Sequence, residues 1–386
     1  MQRALTASQV FDGTRVHAHA TVLLDGSGRI HAVYPQGSTL PEGTMLQRLG
    51  HGILAPGLVD LQVNGGDSEM VGAGTDATQL ARICAVHAQL GATAILPTLI
   101  TDRPEVTRRV IAAGIEAAQK DTPGFGGLHL EGPHLDPARK GAHDARLIRP
   151  MYPEDLALLC EAALALPALM LTVAPGVVAP EQIARLSGAG AIVSLGHSDC
   201  SAEEAQAAYR AGARCVTHLY NAMSGLQARA PGLVGTALTT GVRAGIIADG
   251  VHVAPEALQI ALKMKAPDGL FLVSDAMAVA GTALERFTLG GREIRRAGGR
   301  LTLADGTLAG ADVSLPQSLA HLVGLGVAIE RALAMASRIP ADVIGARDRG
   351  HLATGARGDL VFLGPDMVLR AVWVAGVPVW SEGRER

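Results

Sequence analysis

Cysteine is scarce: four residues (Cys84, Cys160, Cys200, Cys215) in a chain of 386. None stands at the short paired spacing of a metal knuckle or a disulfide framework, which points to reduced thiols and a cytoplasmic protein. An excess of either charge is also missing, since 33 basic residues face 36 acidic ones for a formal net charge of −3. Nucleic acid needs a basic face or stripe, so it is excluded as a partner. Any anionic ligand must be held by a few local cations. Long apolar runs are absent as well. The stretch from Ala162 to Ala174 is interrupted by Pro167, well short of the roughly 20 residues a membrane helix requires. The opening Met1, Gln2, Arg3, Ala4 leads into alternating residues and not into the apolar core of a signal peptide. What the chain has in quantity is apolar residue, 48% against 18% charged. That balance sets disorder aside and provides for a large buried core.

Two textures divide the sequence. The first fifty residues read as short strands, Arg3 to Phe11, Ala20 to Leu24, Arg29 to Tyr34 and Thr44 to Leu49, separated by turn signals such as Asp25-Gly26. The end resumes that texture at Asp359 to Leu363 and Val368 to Ala375. Both termini, residues 1–55 and 351–386, are therefore expected to build one small β-sandwich domain. Between them, over 56–350, short apolar runs recur: Gly57 to Val63, Thr93 to Pro97, Gly127 to Glu131 and Leu169 to Val173, then Ala191 to Leu195, Arg214 to His218, Ala244 to Ala248 and Gly269 to Ser274. Segments of helical periodicity link most of them, as at Asp76 to Leu90, Glu105 to Gln119 and Ala202 to Ala211. Continuous apolar strands with intervening helices imply a parallel sheet covered on both faces. Eight such units predict an α/β chain built on a closed (β/α)8 TIM-type barrel.

Barrel enzymes carry their chemistry at the C-terminal ends of the strands. Polar residues collect there: Gln62 and Asn64 on strand one, His129 and Glu131 on three, His197 and Asp199 on five, His218 and Asn221 on six, Asp249 and His252 on seven, Asp275 on eight. Glu131, His197 and His218 form a carboxylate-plus-two-imidazole set suited to one divalent metal ion, with a position left for water. Zinc or ferrous iron fits those donors. Asp275 suits a base that takes the water proton and passes it to a leaving amine. His129 shares a face with Glu131 and reads either as a partner of the site or as a packed core histidine. His17, His19, His31, His51, His87, His321 and His351 fall outside the constellation.

Pro56 to Gly66 resembles the first barrel strand of the amidohydrolase superfamily. His129 to His134, Lys140 to His143, Gly196 to Ser198, His218 to Met223, Asp249 to His252 and Ser274 to Met277 together are similar to its N-acetylglucosamine-6-phosphate deacetylase branch. The similarity runs in order over nearly the whole chain, to Gly358 to Phe362. It implies metal ligation by Glu131, His197 and His218, and proton transfer by Asp275. It implies that His143 polarises or orients the acetamide carbonyl, and that Ala142, Asn221 and Ala222 contact the sugar. Arg229 and His252 would hold the 6-phosphate, with Arg229 reaching the neighbouring site of a homodimer. Leu308, Ala309 and Gly310, in the Thr307 to Gly310 segment, would close over the sugar through backbone groups. Many superfamily members carry a histidine pair where this chain has Gln62 and Asn64, so one metal per subunit is expected. Ala311 and Ala230 are further departures from the branch pattern. The implied reaction is hydrolysis of N-acetyl-D-glucosamine 6-phosphate to D-glucosamine 6-phosphate and acetate. Rival readings are the galactosamine epimer, a non-phosphorylated N-acyl substrate, and a non-catalytic scaffold.

Overall fold

The eight apolar runs of the middle region become strands because each is bounded by turn formers and too short for a buried helix. In the computed structural model, which describes residues 2–383, they are Leu58–Val63, Ala92–Ile100, Leu128–Glu131, Leu169–Val173, Ile192–Leu195, Cys215–Val216, Arg243–Ile246 and Leu270–Leu272. They pair in strict sequence order, every pair parallel. The ring closes just above the eighth strand. There Val63 bridges Ala276 in parallel, Asn64 N–H donates to Ala276 O at 2.8 Å, and Asp275 N–H donates to Gln62 O at 3.0 Å. The expected barrel is present, and its first and last strand ends are tied together at the residues expected to carry chemistry.

The connecting helices start where the side chains dictate. Asp76 accepts from Gln79 N–H to cap Ala77–Gln89, whose buried Leu80, Ile83, Cys84 and His87 repeat at helical spacing. Pro104 opens Pro104–Gln119, and a Ser201/Glu204 capping box opens Ala202–Arg210.

Both termini contribute to one eight-stranded sheet. Met45–Pro56 is its pivot, parallel to Arg3–Phe11 on one side and antiparallel to Leu360–Leu363 on the other. This strand runs past the expected Leu49 because Ile53, Leu54 and Ala55 are fully buried against its neighbours. The sheet curls on itself. Arg3 donates to Gly376 O at 3.0 Å and Gly358 N–H to Gly28 O at 2.9 Å, which brings distant turns together. Gly28 sits at φ +80°, and a Cβ there would lie 1.9 Å from Ala375 O, so the close approach needs glycine. Leu5, Val22, Leu24, Phe362 and Trp373 fill the enclosed core.

One element has no counterpart in the sequence reading. After the eighth barrel strand, Arg286–Leu289, Arg292–Ala297, Arg300–Thr302 and Leu308–Ala311 form a small antiparallel sheet. It packs on its own cluster of Met277, Val279, Ile294, Leu301 and Ala309. Ala311 bridges Ala276 and donates to Asp275 O at 2.9 Å, so this sheet is fastened to the seam of the barrel.

Candidate active site

Strand ends position the polar residues, and the backbone there is unusual. His197 (φ 47°), His218 (φ 29°), Tyr220 (φ 80°), Ala222 (φ 50°) and Asp275 (φ 51°) all occupy the left-handed region without being glycine. Such conformations cost of order 1–3 kcal/mol each and collect where function constrains the chain. Of these, His197, His218, Ala222 and Asp275 line a cavity of about 380 Å³ at the C-terminal face, with Glu131, His143 and Asn64.

At its floor, Glu131 Oε1 lies 3.0 Å from His218 Nε2 and 3.3 Å from His197 Nε2, and the two imidazole nitrogens are 3.0 Å apart. A tetrahedral ion with ligands at 2.0–2.1 Å needs donor separations of about 3.3 Å. The three atoms match that spacing. His197 Nδ1 donates to Arg139 O at 2.8 Å, since a carbonyl can only accept, so the neutral ring turns the lone pair of Nε2 into the cluster. His218 Nδ1 is buried and has no hydrogen-bond partner among the described residues. Burial works against ionisation of Glu131, yet its close contacts with His197 and His218 hold it well below the usual carboxylate range. The same contact raises His218 despite its burial.

His143 is a second potential ligand, because Glu131, His143 and His197 offer atoms within 4.8 Å of one another. Its hydrogen bonds argue for a different use. Thr101 N–H points to His143 Nδ1 at 3.3 Å, and Thr101 Oγ1 is 2.8 Å from the same nitrogen. A backbone N–H can only donate, so Nδ1 accepts and the ring proton sits on Nε2. That Nε2 lies 3.8 Å from Glu131 Oε2. Burial, followed by the neighbouring His197, drives the His143 pKa down to about 3. His143 is thus a neutral hydrogen-bond donor at the cavity.

Asp275 is held from strand one. Asn64 Nδ2 donates to its Oδ1 at 2.6 Å and Gln62 Nε2 to the same oxygen at 3.2 Å, while Gln62 also donates to Glu131 Oε1 at 3.0 Å. Burial, then the charge of Glu131, raises the Asp275 pKa to about 6. Gln62 and Asn64 stand where other superfamily members carry a metal-binding histidine pair. They are the amides that fix the orientation of the carboxylate, and their inward-facing alternation with Asp60 on one strand was the available signal. Thr101 and Arg139 were not anticipated at all; Arg139 lines the cavity and pairs with Asp199 at 2.7 Å.

Ala142, Asn221, Ala222, His252, Leu308 and Gly310 line the same cavity. His252 Nδ1 is 2.6 Å from Asp249 Oδ2, an ion-pair geometry that lowers the Asp249 pKa against its burial. Two expected residues stand apart. Ala309 is fully buried in the core of the small antiparallel sheet and is not on the cavity wall, because strand alternation turns it away from Leu308 and Gly310. Arg229 is exposed, has no ion pair among the described residues and does not line the cavity of its own chain. His129 is buried off the cavity wall, bonded to Leu61 O and Thr172 Oγ1. His87 bonds Gly65 O at 2.9 Å inside the core. A larger cleft of about 610 Å³ lies behind the segment carrying Asp275, but its charged lining residues, Arg296 and Asp312, neutralise each other at 2.7 Å.

The family model of the amidohydrolase family matches residues 53–379. The chain belongs to the amidohydrolase family. Within it, the chain is 38% identical to an N-acetylgalactosamine-6-phosphate deacetylase of Shewanella sp. (strain ANA-3), over 88% of this chain and 86% of that one. It is 33% identical to an N-acetylglucosamine-6-phosphate deacetylase of Haemophilus influenzae, over 99% and 100%. Its fold is similar to the crystal structure of N-acetylglucosamine-6-phosphate deacetylase from Pasteurella multocida, with a TM-score of 0.93 at 30% identity covering 98% and 99% of the two chains. The Mycobacterium smegmatis deacetylase in complex with N-acetyl-D-glucosamine-6-phosphate gives a TM-score of 0.90 at 31% identity, covering 98% and 100%. No helix among the described residues of this amidohydrolase is long and apolar enough to cross a membrane.

Proposed function

We propose that this amidohydrolase removes the acetyl group of N-acetyl-D-glucosamine 6-phosphate, giving D-glucosamine 6-phosphate and acetate. The observation that carries the proposal is one cavity holding the Glu131, His197 and His218 cluster, the Nε2–H of His143 and the oriented carboxylate of Asp275. A divalent ion bound by Glu131, His197 and His218, zinc or ferrous iron, supplies carbonyl polarisation and a water acidified to near neutral pKa. With Gln62 and Asn64 committed to Asp275, strand one offers no second set of ligands, which supports one ion per subunit.

The chain's own groups do the rest. His143 Nε2–H donates to the acetamide oxygen as negative charge grows there. Asp275, ionised, takes a proton from the attacking water as the new C–O bond forms. When the C–N bond breaks, Asp275 returns that proton to the departing nitrogen, so it ends as it began. Ala142, Asn221, Ala222, Leu308 and Gly310 enclose the sugar. His252 holds the phosphate together with Arg229 of a second subunit, a reading supported by the exposure of Arg229 away from its own cavity. Four free cysteines, three of them buried, accord with a cytoplasmic enzyme.

A second reading, the galactosamine epimer, is favoured by the Shewanella relative at 38% identity. Steady-state kcat/KM for both N-acetylated sugars, with and without the 6-phosphate, tests the proposal. The glucosamine 6-phosphate form is expected to lead. Removing phosphate should cost about 10- to 100-fold, the worth of charged hydrogen bonds. A preference for the galacto 6-phosphate would replace the first reading by the second, and indifference to phosphate would overturn both.

A further inference from the structure

Barrel interiors are normally layered with branched apolar side chains. This one carries a polar layer immediately beneath its cluster. His129 Nδ1 donates to Leu61 O at 3.0 Å, His129 Nε2 lies 2.7 Å from Thr172 Oγ1, Thr172 Oγ1 is 2.7 Å from Thr217 Oγ1, and Thr217 Oγ1 is 2.7 Å from Ser194 Oγ. The four side chains are buried, each at most 4% exposed. They come from the third, fourth and fifth barrel strands and the residue that follows the sixth, and reach the first through Leu61. None of them touches the cavity.

Their place in the chain gives the column its meaning. His129 is two residues before Glu131 on the same face, Thr217 directly precedes His218, and Ser194 lies three before His197. Thr172 is the registered partner of Glu131 on the neighbouring strand. The residue between Ser194's strand and His197 is Gly196, where a Cβ would stand 3.0 Å from Thr172 Cγ2 and 3.1 Å from Thr217 Cβ. The column therefore abuts the backbone that launches each of the three cluster residues. The main-chain ladder sets the strand register, and the directional side-chain bonds rigidify the strand ends beyond it. The His218 ring has no partner on Nδ1 among the described residues, so beyond its Nε2 contacts within the cluster only its backbone holds it.

We infer that Ser194, Thr217, Thr172 and His129 are positioning residues that set the spacing of Glu131, His197 and His218 for the metal ion. This rests on the metal reading proposed above. Thr172→Val and Thr217→Val keep the shape and remove the hydroxyl, whereas Thr172→Ser and Thr217→Ser keep the hydroxyl. Zinc affinity is read by competition with a chromophoric chelator, and kcat and KM are read at saturating zinc. The valine variants should bind zinc 10- to 100-fold more weakly, the usual loss for a residue supporting a ligand. Their kcat should fall with KM little changed, and the serine variants should stay within about threefold of wild type on the same scale. If a valine variant fails to fold, Ser194→Ala shortens only the end of the column, and its zinc affinity should still fall at least about threefold. Wild-type affinity in folded valine variants, or in Ser194→Ala, with only the unfolding temperature lowered, reduces the column to packing and overturns the inference. A wild-type chain that binds no zinc would defeat the metal reading itself.

Discussion

Replacing Asp275 by Asn separates proton transfer from shape. The Oδ1 of Asp275 receives both Asn64 Nδ2 and Gln62 Nε2, and an asparagine can present its own Oδ1 to the same two donors. The side chain should keep its place, and the metal ligands and sugar-facing wall should be undisturbed. What disappears is the only carboxylate in the cavity besides Glu131 among the described residues. A positioned acid–base group contributes about 10²- to 10⁴-fold, or roughly 3–5 kcal/mol of barrier. The variant should retain bound metal and near-normal KM while kcat falls at least about a hundredfold. The pH profile adds a second criterion. Burial and the Glu131 charge raise Asp275 to about 6. Because Asp275 acts ionised, wild-type kcat/KM should decline on the acid side with a limb at or below that value, a bound cation pulling it lower. The Asn variant should lose that limb. Acetate release measured from pH 5 to 8 checks both. Turnover within a few-fold of wild type, or an unchanged acid limb, would assign the proton to another group.

Dialysed enzyme should hold one metal equivalent per chain, measured by elemental analysis, and activity that tracks a second equivalent would contradict the role given to Gln62 and Asn64. Arg229→Ala and Asp275→Asn should each be poor enzymes, yet remixing them should restore roughly a quarter of wild-type activity, since about half of freely assorted dimers are hybrids with one sound site. No recovery in a sample shown by mass to contain hybrids rejects the shared site. Asp60 accepts from Gln62 N–H and Ser274 N–H, and burial lifts its pKa from 3.8 to about 7. A raised folded pKa favours stability below the unfolded value and loses it as pH rises through the folded one. Asp60→Asn should therefore gain stability relative to wild type between pH 4 and 8, by of order 4 kcal/mol at 1.36 kcal/mol per pKa unit; denaturant melts showing a pH-independent difference would refute it.

The eight barrel strands were legible because each is a continuous apolar run bounded by polar punctuation. The small sheet at Arg286–Ala311 was not, since its strands are short and two of them, Arg292–Ala297 and Arg300–Thr302, are dominated by charged and polar residues. Its signal was the pairs Gly290-Gly291 and Gly298-Gly299, which sit at its hairpin turns with positive φ. The cluster residues and Asp275 were legible as polar residues recurring at one edge of the barrel. Their supports were not. Which hydrogen bond Thr101 makes to His143, or that Gln62 serves Glu131 and Asp275 together, depends on residues 40 to more than 200 positions apart meeting in space. The side chain of Ala309 turns into the core of the small sheet by the alternation of the Leu308–Ala311 strand.

The central claim is metal-dependent deacetylation of a phosphorylated amino sugar at the Glu131, His197 and His218 cluster. Its most direct test is acetate release from N-acetyl-D-glucosamine 6-phosphate by chelator-stripped protein, titrated with zinc or ferrous iron. The account predicts no acetate without metal, and activity rising to a plateau at one equivalent per chain, with one glucosamine 6-phosphate formed for each acetate. Full activity in the stripped protein, or no acetate from the 6-phosphate of either epimer at any metal loading, would contradict it.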